Sequence, residues 1–207
     1  DLSIFGKSNP EAVEYLSEAF GMPTDLGSHL DMNHETPLCM GIAWERDNVF
    51  WTLDGSDGSI DRNDFAKDHG PGYDDHSDGV ITRYALGEFK RKEGVPSHLI
   101  IDPKTDLLYI ADAGNNAIKT MDINSGETGG WLEVKEPGVT HYEILNADVQ
   151  TLVDGLEFDL ISPSGLSLID DVLFVSDYGT GILHAFDLNG NRLDRYDTGL
   201  GAESIMG

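Results

Sequence analysis

The residues best suited to chemistry in this chain are histidines and aspartates, and they concentrate in one glycine-rich segment. Residues 66–79 read Ala-Lys-Asp-His-Gly-Pro-Gly-Tyr-Asp-Asp-His-Ser-Asp-Gly. Imidazole together with carboxylate suits zinc, copper or iron, whereas carboxylates and carbonyls alone suit calcium. His69, His76 and Asp75 are therefore candidate ligands of a divalent cation, calcium or zinc. The alternative is a solvated loop whose Asp and His side chains bond to its own backbone.

Two further histidines, His98 and His141, are candidate metal ligands or binding residues, and a third, His184, is predicted to be structural. His98 stands at the start of a predicted strand, where a titratable side chain either binds a metal or packs and hydrogen-bonds to neighbouring backbone. His141 is either a further ligand or an exposed loop residue. His184 falls inside a predicted strand, so we expect it to pack against its neighbours.

A repeated strand pattern positions these residues. In each of three copies, a run of aliphatic, β-branched and aromatic residues ends in an aspartate, and a second aspartate follows 10 residues later. Turns rich in Gly, Asn and Asp separate the runs, and fourth strands are predicted at 79–84 and 192–196. The pattern predicts units of four antiparallel strands. The aspartate pairs are Asp54 and Asp64, Asp112 and Asp122, and Asp177 and Asp187.

The aspartates that end the first run of each copy have two interpretations. Asp54, Asp112 and Asp177 are candidate binding residues at equivalent loop positions, where they could form a ring of metal ligands; His141, in an excursion between blades, is a further candidate. The stronger interpretation is structural, since an aspartate before a Gly or Asn turn accepts hydrogen bonds from backbone N–H groups in that turn.

Serial units of four antiparallel strands are typical of a β-propeller. Residues 96–118 contain Pro-Ser-His-Leu-Ile-Ile-Asp-Pro and Leu-Tyr-Ile-Ala-Asp-Ala-Gly-Asn-Asn-Ala-Ile, which closely resemble the NHL repeat. The unit at 163–187 resembles it well and the unit at 40–64 less so. The resemblance implies an all-β fold, a β-propeller of NHL type. Relatives of this kind include peptidylglycine amidating lyases, gluconolactonase-like enzymes and modules that only bind partners.

The predicted organisation is an incomplete ring of three recognisable four-stranded blades plus a fragment, preceded by a short helix at 8–20. Because three blades do not close a propeller, we expect further blades from the missing chain or from another subunit. The predicted segments are an N-terminal helix and lead-in (1–38), a blade with the insertion 66–79 (39–95), a blade with an excursion at 125–161 (96–161), a third blade (162–198) and the start of a further blade (199–207).

Composition limits the classes of partner. The 207 residues include 13 Lys and Arg against 38 Asp and Glu, a formal charge of −25. This charge opposes binding to nucleic acid and to anionic membranes, and no apolar run approaches the roughly 20 residues of a membrane span. The single cysteine, Cys39, excludes a disulfide within the chain and a Cys-cluster zinc site. The acidic excess suits a secreted protein in an extracellular or periplasmic setting, a high-salt environment, or a surface that collects divalent cations.

The sequence therefore predicts an acidic, extracytoplasmic binding or assembly module, with a protein or small-molecule ligand at the blade-top loops and a divalent cation. The competing prediction is a metal-dependent lyase or hydrolase with a histidine-ligated metal on the propeller axis. The amidating lyases hold zinc with histidines from successive inner strands. The matching positions here are Gly41, His98 and Gly165, so only one of the three is a histidine.

Overall fold

The structure is a computed structural model that describes residues 35–67, 77–134 and 138–207. These residues form 14 strands in three sheets and one helix of four residues, so the all-β prediction is confirmed. The predicted helix at 8–20, and His69, Asp75 and His76 of the insertion, lie outside the described residues. Within the described ranges, no helix is long and apolar enough to cross a bilayer.

The elements follow one another along the chain, with the helix between the tenth and eleventh strands. They are β1 (Ile42–Arg46), β2 (Val49–Asp54), β3 (Ser59–Asp64), β4 (Val80–Tyr84), β5 (Leu99–Asp102), β6 (Leu107–Asp112), β7 (Ala117–Asp122), β8 (Glu127–Trp131), β9 (Thr140–Leu145), β10 (Val149–Asp154), α1 (Gly155–Phe158), β11 (Pro163–Ile169), β12 (Val172–Asp177), β13 (Ile182–Asp187) and β14 (Arg192–Asp197). The first sheet has the order β1-β2-β3-β4-β9-β8, the second β10-β7-β6-β5 and the third β11-β12-β13-β14.

The regular spacing of the aspartates has a simple structural cause. In every sheet, the second and third strands contain 6 residues each and are joined by a turn of the same length. The antiparallel register is also the same, because the first residue of one strand pairs with the last aspartate of the next. The pairs are Val49 with Asp64, Leu107 with Asp122, and Val172 with Asp187.

The predicted four-stranded units match the second and third sheets, whereas the first sheet has six strands. The predicted fourth strands are present as β4 and β14. The excursion at 125–161 divides between two sheets: β10 completes the second, whereas β8 and β9 join the first. β9 runs parallel to β4. A parallel pair needs a long crossover connection, so the local sequence gives no sign of which strand lies beside it.

Alternation of side chains along the strands builds two apolar layers, one between each pair of successive sheets. The first strands β1, β5 and β11 lie side by side, and the described strands do not close into a ring. The layer between the first and second sheets contains Trp51, Leu53, Ile60, Tyr84, Leu99, Leu108, Ile110 and Met121. The layer between the second and third contains Tyr109, Ala111, Ile118, Val153, Leu166, Leu173, Val175 and Phe186.

The last residues do not form the strand that the sequence predicts at their position. Residues 204–207 have no regular structure. They nevertheless lie beside the third sheet, where the Ser164 hydroxyl donates to the Ile205 carbonyl at 3.4 Å and Gly207 lies against Gly165. The backbone N–H of Glu203 donates to the carbonyl of Tyr178 at 2.6 Å.

The segments that follow the first and third sheets pass closely over a turn of the sheet that they leave. Gly58 and Gly181 occupy the same turn position, with φ of 74° and 75°. A Cβ atom at Gly58 would lie 2.1 Å from the carbonyl oxygen of Phe89, and one at Gly181 would lie 2.0 Å from that of Gly201. The close backbone approach therefore requires glycine at both positions, and the positive φ favours it.

We predict that Gly58→Ala destabilises the fold far more than Gly87→Ala. Gly87 has φ of 78° but nothing within 4 Å of a Cβ, so its substitution carries only the conformational cost of about 1–2 kcal/mol. Gly58→Ala should cost a further ~2 kcal/mol, because the Phe89 carbonyl has to move. Urea unfolding of the two variants measures the difference, and equal losses of stability would contradict the close approach.

Candidate binding surfaces

Asp112 links the turn after β6 to the connection that arrives from the first sheet. Its carboxylate is fully buried and accepts hydrogen bonds from the Lys90 N–H at 2.9 Å and the Asn115 side-chain amide at 2.8 Å. The Lys119 ammonium lies 3.0 Å away. In return, the N–H of Gly114 donates to the carbonyl of Lys90 at 2.8 Å. The carboxylate therefore joins the connection and the turn.

Asp177 makes the same link in the third sheet. Its two oxygens accept from the N–H groups of Ser162 at 2.7 Å and Ile161 at 3.0 Å, both of which belong to the arriving connection. They also accept from the Gly179 N–H at 3.1 Å and the Thr180 hydroxyl at 2.8 Å within the turn. The bond from the Gly179 N–H is the kind that the structural interpretation predicts, whereas the bonds to the arriving connection were not predicted. A role in ligand binding for either aspartate stays a prediction.

Asp54, the third strand-end aspartate, belongs to a cluster of charges around Arg83. The guanidinium donates to both oxygens of Asp61, at 2.9 and 3.0 Å. It lies 3.2 Å from Asp57 and 3.5 Å from Asp54, and it donates to the Glu35 carbonyl at 2.7 Å. The arginine thus holds three aspartates of one β2–β3 hairpin together.

Burial shifts the pKa values of the two aspartates of this cluster that are most buried, Asp61 and Asp54. It raises the pKa of Asp61, and the opposing hydrogen bonds and charge of Arg83 do not reverse the change. Burial also raises the pKa of Asp54, although hydrogen bonds from Ser56 oppose it. For Arg83, burial acts to lower the pKa, but the hydrogen bonds and charge of Asp61 outweigh it and the pKa rises. Arg83 therefore remains a fixed cation.

A cleft of about 530 Å³ opens beside this cluster, at the edge of the first sheet that carries the β2–β3 turn. Asp57, Arg83, Glu88 and Glu143 line it together with apolar residues such as Leu132. Because Asp61 and Asp57 already neutralise Arg83, the cleft is acidic overall. Nothing in this arrangement resembles a nucleophile with an adjacent base.

His98 immediately precedes β5 of the second sheet, whereas His141 lies in the first sheet. His98 is exposed and joins neighbouring strands: its N–H donates to the Ser164 carbonyl at 2.9 Å, and its Nδ1 accepts from the Leu166 N–H at 3.0 Å. His141 is not an exposed loop residue, because it lies in β9 with 2% of its surface exposed. Its Nδ1 lies 3.3 Å from the Glu133 carbonyl, and its buried Nε2 has no hydrogen-bond partner within the part of the chain that the structure describes.

His98 and His141 are not part of a group of side chains that could bind a metal ion within the described residues. In the part of the chain that the structure describes, no three His, Cys, Asp or Glu side chains are grouped so that they could hold a metal ion. His69, Asp75 and His76 lie outside that part, so a divalent cation at the insertion stays a prediction.

His184 is packed inside the third sheet, as the sequence predicts. It lies in β13 with its ring stacked on Phe186, at a centroid distance of 5.9 Å and an interplanar angle of 10°. Both ring nitrogens are buried, and neither has a hydrogen-bond partner among the described residues. Burial is the main effect that lowers the pKa of His184. The charges of Asp177 and Asp159 act to raise it, and those of Arg192 and Arg195 act to lower it further.

The third sheet has an exposed apolar face that the sequence analysis did not single out. Phe174 and Leu183 point away from the second sheet and are 41% and 39% exposed. Cross-strand pairing places Tyr196 beside Leu183 on this face, and Tyr196 is also exposed. The repeat alignment contained the signal, since Phe174 occupies the position of Trp51 and Tyr109, which are buried between sheets.

Comparisons with known proteins give fold-level similarities only. No protein-family model matches the chain, and no curated protein matches it either. A crystal structure of the computationally designed Ika4 protein is similar over 81% of this chain and 75% of its own, at 11% identity and a TM-score of 0.41. A Lactobacillus plantarum protein is similar over 79% of this chain and 42% of its own, at 13% identity and a TM-score of 0.41. A nidogen/laminin complex matches at 18% identity and a TM-score of 0.25, covering 79% of this chain and 81% of that one. These TM-scores do not identify a fold family.

We predict that His184 makes the chain lose stability in acid. The unfolded histidine has a pKa near 6.5, and the folded pKa is lower, so the folded state binds fewer protons. The stabilisation is therefore complete above pH ~6.5 and is lost as the pH falls towards the folded pKa, by up to about 1.4 kcal/mol per pH unit.

His184→Leu and His184→Gln test this prediction by chemical unfolding between pH ~5 and ~7. Both variants should lose the same pH-dependent component, although their stabilities at neutral pH differ. His141, whose pKa burial also lowers, is retained in every protein and cancels in the comparison. Identical pH profiles for the wild type and both variants would contradict a neutral, buried His184.

Proposed function

We propose that this chain is an NHL-like, propeller-type binding or assembly module, and that the exposed face of its third sheet takes a further sheet of the same kind. The support is the three sheets of matching register, each of which presents one face to the next sheet along the chain. The acidic composition supports an extracellular or periplasmic setting as part of this proposal, and the Asp and His residues of the insertion at 66–79 support a divalent cation.

One observation carries the proposal. At two equivalent positions of the repeat, the first and second sheets bury their side chains against the following sheet. Trp51 and Tyr109 are at most 1% exposed, and Ile60 and Ile118 are fully buried. The same positions of the third sheet hold Phe174 and Leu183, which are exposed. The third sheet therefore repeats an interface whose partner is not among the described residues.

The exposed face is large enough to matter energetically. Burying an aromatic or aliphatic side chain contributes about 1.5–3 kcal/mol. Phe174, Leu183, Tyr196 and Ile169 offer four such groups on one surface. The edge strand β14 is exposed at every residue, which leaves unpaired backbone groups next to this face.

The first sheet offers the third a less suitable partner surface. On its face away from the second sheet, a central group of side chains is already buried, namely Thr52, Asp61, Asn63, Ile81 and His141. Ile42 and Trp44 are exposed on the same face, on its edge strand β1. For the isolated chain, we therefore expect the partner to be the same face of a second copy, which offers Phe174 and Leu183 a matching apolar surface.

Sedimentation velocity of the 207-residue chain from about 5 to about 100 µM tests the proposal. Measurements at ~0.15 M and ~0.5 M NaCl are needed, because a charge of −25 on each copy opposes association until salt screens it. We expect reversible self-association that strengthens with salt. Phe174→Ser with Leu183→Ser should weaken it by about 100-fold or more.

A matched control replaces two apolar side chains that are more exposed and lie elsewhere, Leu86→Ser with Leu156→Ser. This variant should associate like the wild type. A chain that stays monomeric at the highest concentration in both salts, or an equal effect of the two double variants, would overturn the assembly role of this face.

A further inference from the structure

A row of side chains crosses the whole first sheet on the face that packs against the second. Successive strand registers place each residue directly opposite the next. The side chains of such a row lie on one face of the sheet. In strand order, the row consists of Ala43, Trp51, Arg62, Thr82, Tyr142 and Trp131.

The row passes from fully buried to highly exposed. The second sheet has four strands and the first has six, and the row emerges from the apolar layer toward its outer strands β9 and β8. Trp51 has no exposed surface, whereas Trp131, at the far end, is 78% exposed. Tyr142 is partly buried and contacts Trp131 edge-to-face, with ring centroids 6.0 Å apart.

A cleft of about 410 Å³ opens where the row emerges. Arg62, Thr82 and Tyr142 line it from the first sheet, and Asp106 and Asn124 line it from the second. Asn124 donates to Asp106 at 3.0 Å. The cleft therefore combines hydroxyl, amide, carboxylate and guanidinium groups, with an exposed indole next to it.

The charged groups of this cleft are balanced and held in place. Glu45 accepts from Arg62 at 2.7 and 3.0 Å, and from the Trp51 indole N–H at 2.6 Å. Burial acts to raise the pKa of Glu45, but the hydrogen bond and charge of Arg62 outweigh it and the pKa falls. With Arg46 and Asp106, the cleft is lined by two cations and two anions. It is a neutral site on a chain of charge −25.

We propose that this cleft, with Trp131 and Tyr142 at its rim, binds a neutral saccharide. The flat, exposed indole offers an apolar surface to the C–H face of a sugar ring, and the fixed polar groups offer hydrogen bonds to its hydroxyls. A charged ligand gains little, because Glu45 pairs with both Arg62 and Arg46 and the charges that line the cleft balance. The site is separate from the third-sheet face and does not depend on the assembly role.

Saturation-transfer NMR and tryptophan fluorescence test the proposal on the whole chain, with a panel of gluco-, xylo-, manno-, galacto- and N-acetylglucosamine tetrasaccharides up to ~20 mM and one oligoglucuronate. We expect at least one neutral member to bind and to change the fluorescence. Trp131→Ala should weaken that binding at least tenfold without unfolding the chain, because the side chain is largely exposed.

Trp44→Ala is the matched control, since Trp44 is 63% exposed on the opposite face of the same sheet. It should leave saccharide binding unchanged. The proposal is overturned if no neutral saccharide binds, if only the oligoglucuronate binds, or if Trp131→Ala and Trp44→Ala have the same effect.

Discussion

The structure depends on hydrogen bonds between strand-end aspartates and the connections that arrive from the preceding sheet. Asp112 holds the N–H of Lys90, and Asp177 holds those of Ile161 and Ser162. Hydrogen bonds to a carboxylate are stronger than those between neutral groups, and both aspartates are fully buried. Each therefore fixes where the next sheet begins, and so brings β1, β5 and β11 side by side and sets which faces meet.

This arrangement changes what the acidic composition means. Four aspartates are buried and accept hydrogen bonds: Asp54, Asp61, Asp112 and Asp177. Part of the acidic composition therefore stabilises the fold instead of lying on the surface. The two surfaces proposed for binding are not acidic in character. The third-sheet face presents Phe174 and Leu183, and the cleft beside Trp131 is lined by equal numbers of cations and anions. The net negative charge therefore opposes the approach of another copy from a distance, whereas contacts at the two proposed binding surfaces do not depend on acidic side chains alone.

The sequence predicts what depends on local pattern and misses what depends on distant pairing. The spacing of Asp54 and Asp64 predicts two strands and a turn, because register and turn length are local. The pairing of β9 with β4 is parallel and joins distant segments, so neither the buried state of His141 nor the exposed Trp131 was foreseen. Arg83 was missed for the same reason, since its carboxylate partners gather only when the hairpin and β4 come together. The exposed face at Phe174 is predictable from the sequence, because the repeat alignment places Phe174 at the position of Trp51 and Tyr109.

Amide hydrogen exchange at Ile161 and Ser162 tests the central role of the aspartates most directly. In Asp177→Asn, the amide nitrogen cannot accept, so the protection of at least one of these N–H groups should fall more than tenfold. Asp187→Asn is the control, because Asp187 is only partly buried and accepts from Asn189 and Asn191 of its own turn. It should leave both groups protected. Unchanged protection of Ile161 and Ser162 in Asp177→Asn would contradict the account.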